Sequence, residues 1–206
     1  MTKRPSYKVP KQRRARKTSE AASYDEAEIT RLVEGAAGGD FEAFGELYNV
    51  YLDRIYRYVL YQVKDKMTAE DLIEEIFVKA WKAIGSYRGK GQAFSSWLYR
   101  IAHNYLVDYF RKSQKRKSLD IETAATVASP EQESAEQESE RKAVRQELLE
   151  AISCLRDNQR QVILLKFVEG LDNREISQIM GKSQGAVRIL QMRALTTLRK
   201  RLSSEE

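Results

Sequence analysis

The chain of 206 residues carries 36 lysines and arginines against 30 acids, and 42% of its residues are hydrophobic, which is a globular composition that allows one domain or two small ones. No apolar run approaches the roughly 18 residues needed to span a bilayer, and no apolar segment follows the charges at the N-terminus, so we expect a cytoplasmic protein without membrane insertion. The net charge of +6 indicates a polyanionic partner.

The first segment is basic, contains Pro5 and Pro10 and shows no apolar periodicity, which predicts a disordered extension at residues 1–22. Basic residues form three blocks without acids, at residues 3–17, 111–117 and 182–201. Any one block is typical of a solvated tail or helix face. Because the blocks recur at the ends of predicted helices, we expect contacts with phosphates.

Residues 23–117 are predicted to form a module of four helices with almost no strand signal. Ser23 and Glu26 have capping-box spacing for a first helix, Asp40 is the expected cap of the second, and Thr68 opens the third. A loop at residues 86–93 precedes a fourth helix at about residues 95–113. Apolar residues at helical spacing predict the buried faces of the last three helices: Phe44, Leu47, Tyr48, Tyr51, Ile55, Tyr58 and Val59, then Leu72, Ile73, Ile76, Phe77, Ala80, Trp81 and Ile84, then Trp97, Leu98, Ile101, Ala102 and Tyr105.

Four acids lie on the third predicted helix, at Glu70, Asp71, Glu74 and Glu75. Like charges at i and i+4 destabilise an isolated helix, and the helix N-terminus compensates only the first two acids, so we expect a basic partner surface. The alternative is a carboxylate-bridged metal site. That site would use Glu-x-x-His pairs, and the only histidine, His103, lies elsewhere. We therefore expect no metal and no other cofactor.

The fourth helix and the preceding loop combine aromatic and basic residues. Rings stack on unpaired bases while positive charges follow the backbone, so this pattern suits single-stranded nucleic acid better than duplex. Gly89 and Gly91 beside Asn104 would let the loop enclose one extruded base. Aromatics at helical spacing are usually core residues, and that alternative stays open for each tyrosine. The candidate contacts are Arg88, Lys90, Tyr99, Arg100, Asn104, Arg111 and Lys112.

Residues 118–140 contain seven acids and no base, which predicts a flexible acidic linker before a second module at residues 141–206. In this module we predict a helix at about residues 141–156, with Cys154 as a small buried core residue. A second helix is predicted to follow a cap at Asn158 and to carry an apolar stripe made of Val162, Ile163, Leu165, Phe167 and Val168.

The end of the second module has the spacing of a helix-turn-helix. Asp172 with Glu175 can cap a short helix, Gly181 ends it, and Ser183 can cap a long basic helix. Val187, Leu190, Ala194 and Leu198 share one side of that helix, which predicts the core face. The opposite side is expected to enter a major groove, with packing on another protein as the alternative. Its candidate DNA contacts are Lys182, Ser183, Gly185, Arg188, Ile189, Met192 and Arg193.

Three segments, AEDLIEEIFVKAWKAI, FSSWLYRIAHNYLVDYFRK and LRDNQRQVILLKFVEGLDNREISQIMGKSQGAVRILQMRAL, resemble the sigma-70 family of extracytoplasmic-function (ECF) type. The resemblance implies an all-α fold in which residues 23–117 are sigma region 2 and residues 141–206 are sigma region 4, each of four helices. It also implies that the acidic helix docks on core RNA polymerase, that the fourth helix and its loop open the −10 element of promoter DNA, and that the helix-turn-helix reads the −35 element. Glu74, Ser177 and Ala186 depart from the family pattern.

The chain is therefore expected to be a non-enzymatic initiation subunit whose partners are core RNA polymerase and promoter DNA. Whether an anti-sigma factor also binds is left open by the residues. A stand-alone repressor or activator that uses only the second module is the main alternative. A nuclease is third, because the sequence offers neither a metal cluster nor a nucleophile with a nearby base.

Overall fold

The computed structural model describes residues 24–89, 93–117 and 150–203, and every regular element in these ranges is helical, as predicted. The first module contains α1 (Glu26–Ala37), α2 (Phe41–Val63), α3 (Lys66–Ala83), a 3-10 turn (Ile84–Ser86) and α4 (Phe94–Lys117). After a helical turn at residues 150–153, the second contains α5 (Asp157–Ile163), a π-helical turn (Leu164–Val168), α6 (Asn173–Met180) and α7 (Gln184–Leu202). None of these helices has the length and apolarity needed to cross a membrane. The predicted extension at residues 1–22, the linker at residues 118–140 and most of the helix at 141–156 lie outside the described residues.

The first helix is capped two residues later than predicted. The Asp25 carboxylate accepts the N–H of Glu28 at 2.8 Å, and the Glu28 carboxylate accepts the N–H of Asp25 at 2.8 Å. The prediction of Ser23 and Glu26 as the capping box is therefore wrong. Both pairs have the same three-residue spacing, so the local pattern alone did not distinguish them.

Two further aspartates fix where α2 and α3 begin. Asp40 caps α2 as predicted, by accepting backbone N–H groups of the first turn. Asp65 accepts the N–H of Thr68 at 2.7 Å, so α3 starts at Lys66 rather than at Thr68. In each case the side chain satisfies N–H groups that have no partner within the helix.

The core of the first module is formed mainly by α2, α3 and α4. On α2 and α3 the predicted inner faces are buried, apart from the half-buried Tyr48 and Trp81. On α4 the inner face is turned slightly from the prediction. Leu98 and Ala102 are buried as expected, whereas Trp97, Ile101 and Tyr105 are only half-buried. The other buried residues in the described part of this helix are Phe94, Ser96, Tyr99, His103 and Leu106.

The start of α5 also differs from the prediction. Arg156 occupies the N-cap position and its backbone N–H donates to Oε1 of Gln159 at 3.2 Å, so the predicted cap at Asn158 is wrong. The buried guanidinium of Arg160 donates to the carbonyl oxygens of Ser153 and Leu155, each at 3.0 Å. These bonds attach α5 to the helical turn before it.

Two burial predictions in the second module are wrong. Cys154 is exposed, because the helical turn ends at Ser153 and the cysteine lies in the connection to α5. Phe167 and Val168 are 61% and 39% exposed, although they continue the apolar stripe of α5. The helix changes to π geometry over Leu164–Val168, and the extra residue in that turn rotates the two side chains out of the stripe.

The helix-turn-helix forms as predicted. Asp172 and Glu175 make a capping box at the start of α6, with bonds of 2.8 and 2.9 Å. Gly181 ends α6 at a φ of 61°, which is the left-handed region that glycine adopts without steric cost. Ser183 then caps α7 by accepting the N–H of Ala186 at 3.2 Å.

The two modules pack against each other, mainly through α4 of the first and α6 of the second. A buried ion pair contributes to this packing, with Nε of Arg54 lying 3.3 Å from Oε2 of Glu169. The packing of the two modules also determines whether Tyr99, one of the predicted site residues, is accessible.

Candidate nucleic-acid interface

The outer face of α7 presents the base-contact candidates to solvent. Arg188 is exposed, and Ile189 and Met192 are 48% and 62% exposed, while Val187 and Ala194 on the opposite side are fully buried. Leu198 is also buried and Leu190 is half-buried, so the predicted core side of α7 is confirmed. An arginine between two exposed apolar side chains can contact base edges and thymine methyl groups in a major groove.

Of the remaining candidates on this module, Lys182, Ser183 and Gly185 lie around the N-terminus of α7, and Arg193 lies in the middle of that helix. Ser183, Gly185 and Arg193 are exposed, and Lys182 is half-buried. A Cβ placed on Gly185 would have only the Ser183 Oγ nearby, at 3.9 Å, so packing does not require glycine at this position in the helix. Glycine weakens a helix by about 1 kcal/mol relative to alanine, and close approach of another molecule would account for a glycine at this position.

The position of α7 relative to α6 is fixed by apolar packing and one side-chain bond. Ile176, Ile179 and Met180 of α6 are buried together with Val187 of α7. Nε2 of Gln191 on α7 donates to Oδ1 of Asn173 in the first turn of α6 at 2.9 Å. This packing and this hydrogen bond therefore fix the orientation of α7 relative to α6, with the outer face of α7 directed away from α6.

On the first module, the exposed candidates form a polar strip along α4. Arg100 and Asn104 are exposed, and Arg111 and Lys112 are exposed near the end of the helix. Arg111 forms an ion pair with Asp108 at 2.9 Å, so part of its charge is compensated on its own helix. The strip can follow a phosphate backbone and reach bases through the Asn104 amide.

The loop before α4 is supported by packed aromatic rings. Tyr87 lies 5.7 Å from Phe94 and 5.3 Å from Trp97, measured between ring centroids. Arg88 is exposed, and its guanidinium donates to the Gly85 carbonyl oxygen at 2.7 Å. Lys90, the other candidate in this loop, lies outside the described residues. The rings hold the described part of the loop beside the start of α4.

Tyr99 is not accessible to nucleic acid in this structure. Its side chain is fully buried, its ring packs edge-on against Tyr58 at 5.4 Å, and its hydroxyl donates to the carboxylate of Glu169. Burial and this carboxylate raise the pKa of Tyr99 well above its ordinary value. The second module covers Tyr99 in this arrangement, and its role as a base contact stays a prediction.

The acids of α3 form a continuous exposed face, which we call the acidic face and define as Glu70, Asp71, Glu74 and Glu75. Glu74 lies close enough to Tyr48 to contribute, together with burial, to a raised pKa of that tyrosine. Within the described ranges, no cluster of His, Cys, Asp and Glu side chains is arranged to hold a metal ion. Because its four carboxylates are exposed, the acidic face is accessible to a partner of opposite charge.

Sequence reasoning missed the residues that join the modules: Arg54, Ser96 and Glu169, and the second role of Glu175. A partial signal was present, because Arg54, Tyr58 and Gln62 recur at four-residue spacing along α2. That spacing places an arginine and a glutamine in line with a buried tyrosine. Of these three residues only Arg54 bonds to Glu169, which is 115 residues away, and no local pattern could reveal that distance.

Comparison with known families places both modules. Residues 47–116 match Sigma-70 region 2, and residues 145–198 match Sigma-70, region 4. The ECF RNA polymerase sigma factor BldN of Streptomyces coelicolor is 38% identical over 186 residues, covering 90% of this chain and 70% of BldN. The ECF sigma factor SigW of Bacillus subtilis is 32% identical over 186 residues, covering 84% of this chain and 96% of SigW.

Two solved structures share the fold. The structure of CnrH in complex with the cytosolic domain of CnrY has a TM-score of 0.65 at 21% identity and covers 87% of this chain and 99% of that one. The sigma factor RpoE of Bartonella quintana, in complex with the anti-sigma factor NepR, has a TM-score of 0.66 at 21% identity, with coverages of 79% and 98%. Both modules match Sigma-70 regions, and the relatives BldN and SigW are ECF sigma factors. The chain therefore belongs to the sigma-70 family of RNA polymerase sigma factors, in its ECF group.

Proposed function

We propose that each module of this sigma factor contacts one element of a promoter, with α4 and the loop at residues 86–93 at the −10 element and α7 at the −35 element. As a sigma factor, the chain binds core RNA polymerase and directs it to promoters for transcription initiation. The observation that most strongly supports the assignment is the outer face of α7, where Arg188, Ile189 and Met192 are exposed opposite a buried apolar side.

At the −35 element, Arg188 is proposed to donate two hydrogen bonds to O6 and N7 of a guanine. Ile189 and Met192 would lie against thymine methyl groups. Gly185 permits close approach of the backbone, and the proposed phosphate contacts are Lys182, Ser183 and Arg193. The position of Lys182 and Ser183 at the N-terminus of α7 supports this role, because that end of a helix attracts anions, whereas Arg193 is an exposed positive charge in the middle of the helix.

At the −10 element, the exposed strip of α4 is proposed to hold one DNA strand. Asn104 is the candidate for hydrogen bonds to an unpaired base, and the positive residues follow the backbone. These are Arg88, Lys90, Arg100, Arg111 and Lys112. Tyr99 is excluded from this set while the modules are packed together, because it is buried beneath Glu169.

The acidic face of α3 is the proposed docking surface for core RNA polymerase. Its four carboxylates are exposed and adjacent, and their mutual repulsion is relieved by a basic partner. By its resemblance to the family, this helix would meet the clamp helices of the largest polymerase subunit. Glu74, which departs from the family pattern, lies within this face.

Three broader assignments complete the proposal. The chain acts by binding, and the polymerase supplies the chemistry, so we propose no catalytic activity for the chain itself. We place its action in the cytoplasm, where the polymerase and the genome are found in bacteria. Because RpoE was solved with an anti-sigma factor, we include an anti-sigma factor as a third partner of this chain.

Run-off transcription with purified core polymerase over a promoter library tests the proposal. We expect initiation at a set of promoters that share one upstream and one downstream element, and none without the chain. A duplex-binding assay with the chain alone is the companion experiment. Tight, specific duplex binding without core, together with no initiation in its presence, would instead establish a stand-alone regulator.

A further inference from the structure

The helix-turn-helix contains a polar contact that lies outside the set of proposed DNA contacts. Nε2 of Gln191 on α7 donates to Oδ1 of Asn173 on α6 at 2.9 Å. Both side chains are half-buried, so they belong neither to the apolar core nor to the exposed outer face of α7. In the described ranges this is the one hydrogen bond between side chains of these two helices. It links the helix that carries the proposed base contacts to the helix that supports it.

Asn173 is held in place at the start of α6. It follows Asp172 directly and is the first residue of the helix. Asp172 and Glu175 form the capping box, with bonds of 2.8 and 2.9 Å. Oε1 of Glu175 also accepts a hydrogen bond from the hydroxyl of Ser96 on α4 at 2.5 Å. The acceptor offered to Gln191 therefore belongs to a helical turn whose position is fixed by its own contacts.

Gln191 lies at the border between the core side and the outer face of α7. At about 100° per residue, its side chain points about 40° away from that of the buried Val187 and about 60° away from that of the exposed Arg188. Gln191 is also about one helical turn beyond Arg188. The bond to Asn173 therefore acts on the part of α7 that carries the proposed base-reading arginine.

Apolar packing and this hydrogen bond restrain α7 in different ways. Ile176, Ile179 and Met180 of α6 are buried together with Val187 of α7. Hydrophobic attraction is non-directional, so these contacts mainly determine how closely the two helices lie. A hydrogen bond also prefers one distance and one angle. The bond between Gln191 and Asn173 therefore adds a directional restraint on rotation of α7 about its own axis.

A small rotation is sufficient to weaken a base contact. A helix with its side chains is about 10–12 Å across, so a rotation of about 10° moves the outer atoms by about 1 Å. Hydrogen bonds weaken once donor and acceptor are more than about 3.2 Å apart, and a fork onto guanine needs two of them at once. Attraction between a positive side chain and a phosphate falls off more slowly with distance. Rotation of α7 therefore affects sequence preference more than it affects total affinity.

We propose that Gln191 and Asn173 are positioning residues for recognition of the −35 element. Their hydrogen bond holds α7 at the rotation at which Arg188 donates both of its bonds to a guanine. Neither residue contacts the DNA, and both act through Arg188. This role rests on the proposed function of α7.

The hydrogen bond is tested first, by NMR of the full-length free chain. The side-chain amide signals of Gln191 are identified by their loss in Gln191→Met. We expect these signals to move when Asn173→Ala removes the acceptor. Asn173→Asp keeps an acceptor oxygen at the same distance from the backbone, so it should keep the signals close to their original position. Unchanged signals in Asn173→Ala would show that the bond does not form in solution.

The effect on recognition is measured as holoenzyme binding to promoters varied one pair at a time. A forked arginine contact corresponds to a preference of about 5- to 150-fold for the correct base pair. Gln191→Met and Asn173→Ala are each expected to reduce a preference of about 100-fold to about 10-fold, because one of two hydrogen bonds is lost. Methionine keeps the length of the glutamine side chain and its helix propensity, so α7 should remain helical.

Two further comparisons show whether the pair acts as a unit and through Arg188. The double variant of Gln191 and Asn173 should lose no more preference than either single variant, since one interaction can be lost only once. In an Arg188→Ala chain, neither substitution should reduce the preference at that base pair any further. A persistent reduction would contradict action through Arg188.

Two control variants distinguish positioning from stability and from charge. Ile179→Val removes a methylene from the buried contact between the helices but leaves the hydrogen bond, so it should lower the melting temperature and keep the base preference. Asn173→Asp should also keep the preference, while its negative charge weakens binding to all promoters alike.

Several outcomes would overturn the positioning role. Equal weakening at all upstream elements by Gln191→Met would assign the pair to backbone contact or to stability alone. A similar loss of preference in Ile179→Val would assign it to general loosening of the module. If the unaltered chain prefers no base pair upstream, the proposed function itself is contradicted. A preference that Arg188→Ala removes and that Gln191→Met and Asn173→Ala both retain contradicts the positioning role alone.

Discussion

Arg188 and Arg193 are both exposed on α7, but we expect them to contribute differently to DNA binding. Arg188→Ala should remove about 1–3 kcal/mol of discrimination at one base pair of the upstream element, because the fork onto guanine is lost. Holoenzyme binding to promoters varied one pair at a time measures this loss. If Arg188→Ala weakens every promoter variant equally, the residue is only a phosphate contact.

Arg193→Ala supplies the contrasting result. Because Arg193 is proposed as a phosphate contact, Arg193→Ala should weaken binding to all upstream elements alike. It should also reduce the salt dependence of log K by about one unit. The measurement is binding of holoenzyme over a range of salt concentrations. A change confined to one base pair would show that Arg193, and not Arg188, reads the sequence.

His103 makes the packed structure sensitive to acid. Burial and the nearby Lys182 lower its pKa from 6.5 to about 4, so the packed state favours the neutral ring. The associated stability is fully present above about pH 6.5 and is lost as the pH falls towards 4, by up to about 3 kcal/mol. Thermal melting at several pH values should show a weaker acid dependence for His103→Gln. An identical dependence in both proteins would contradict the assignment.

At the scale of one element, the acidic face of α3 is expected to decide docking on polymerase. Asp71→Lys or Glu75→Lys should abolish co-purification with core while leaving the helical circular dichroism unchanged, because surface charges mainly set encounter and register. Glu34→Lys, at an exposed acid on α1, is the control and should bind core normally. Normal binding by the α3 variants would place the docking surface elsewhere.

The helix ends illustrate how far an element can be predicted from local residues. Asp40, Asp172 and Ser183 cap the helices expected of them, because a cap depends on a few neighbouring N–H groups. The predictions at Ser23 and Asn158 fail where another residue nearby offers an equivalent start. The π-helical turn at Leu164–Val168 has no comparable local signature, and it moves Phe167 from the expected core to the surface.

At the scale of the whole molecule, the free chain is expected not to melt DNA. Opening about ten base pairs costs on the order of 10 kcal/mol or more, at about 1.4 kcal/mol per stacked step. Tyr99 is buried, so even fewer aromatic rings are available to offset this cost than the sequence indicated. Permanganate footprinting should detect no unpaired thymines with the chain alone. A clear bubble without core polymerase would contradict this expectation.

Periodicity, caps and charge were sufficient to determine the helical fold, the helix-turn-helix and the exposure of Arg188, Ile189, Met192 and the acidic face. These features depend on contacts within a few turns of one helix, which local spacing encodes. The burial of Tyr99 and the pairing of Arg54 with Glu169 were decided only by the tertiary structure. The pair is separated by 115 residues, and its formation depends on how the two modules meet.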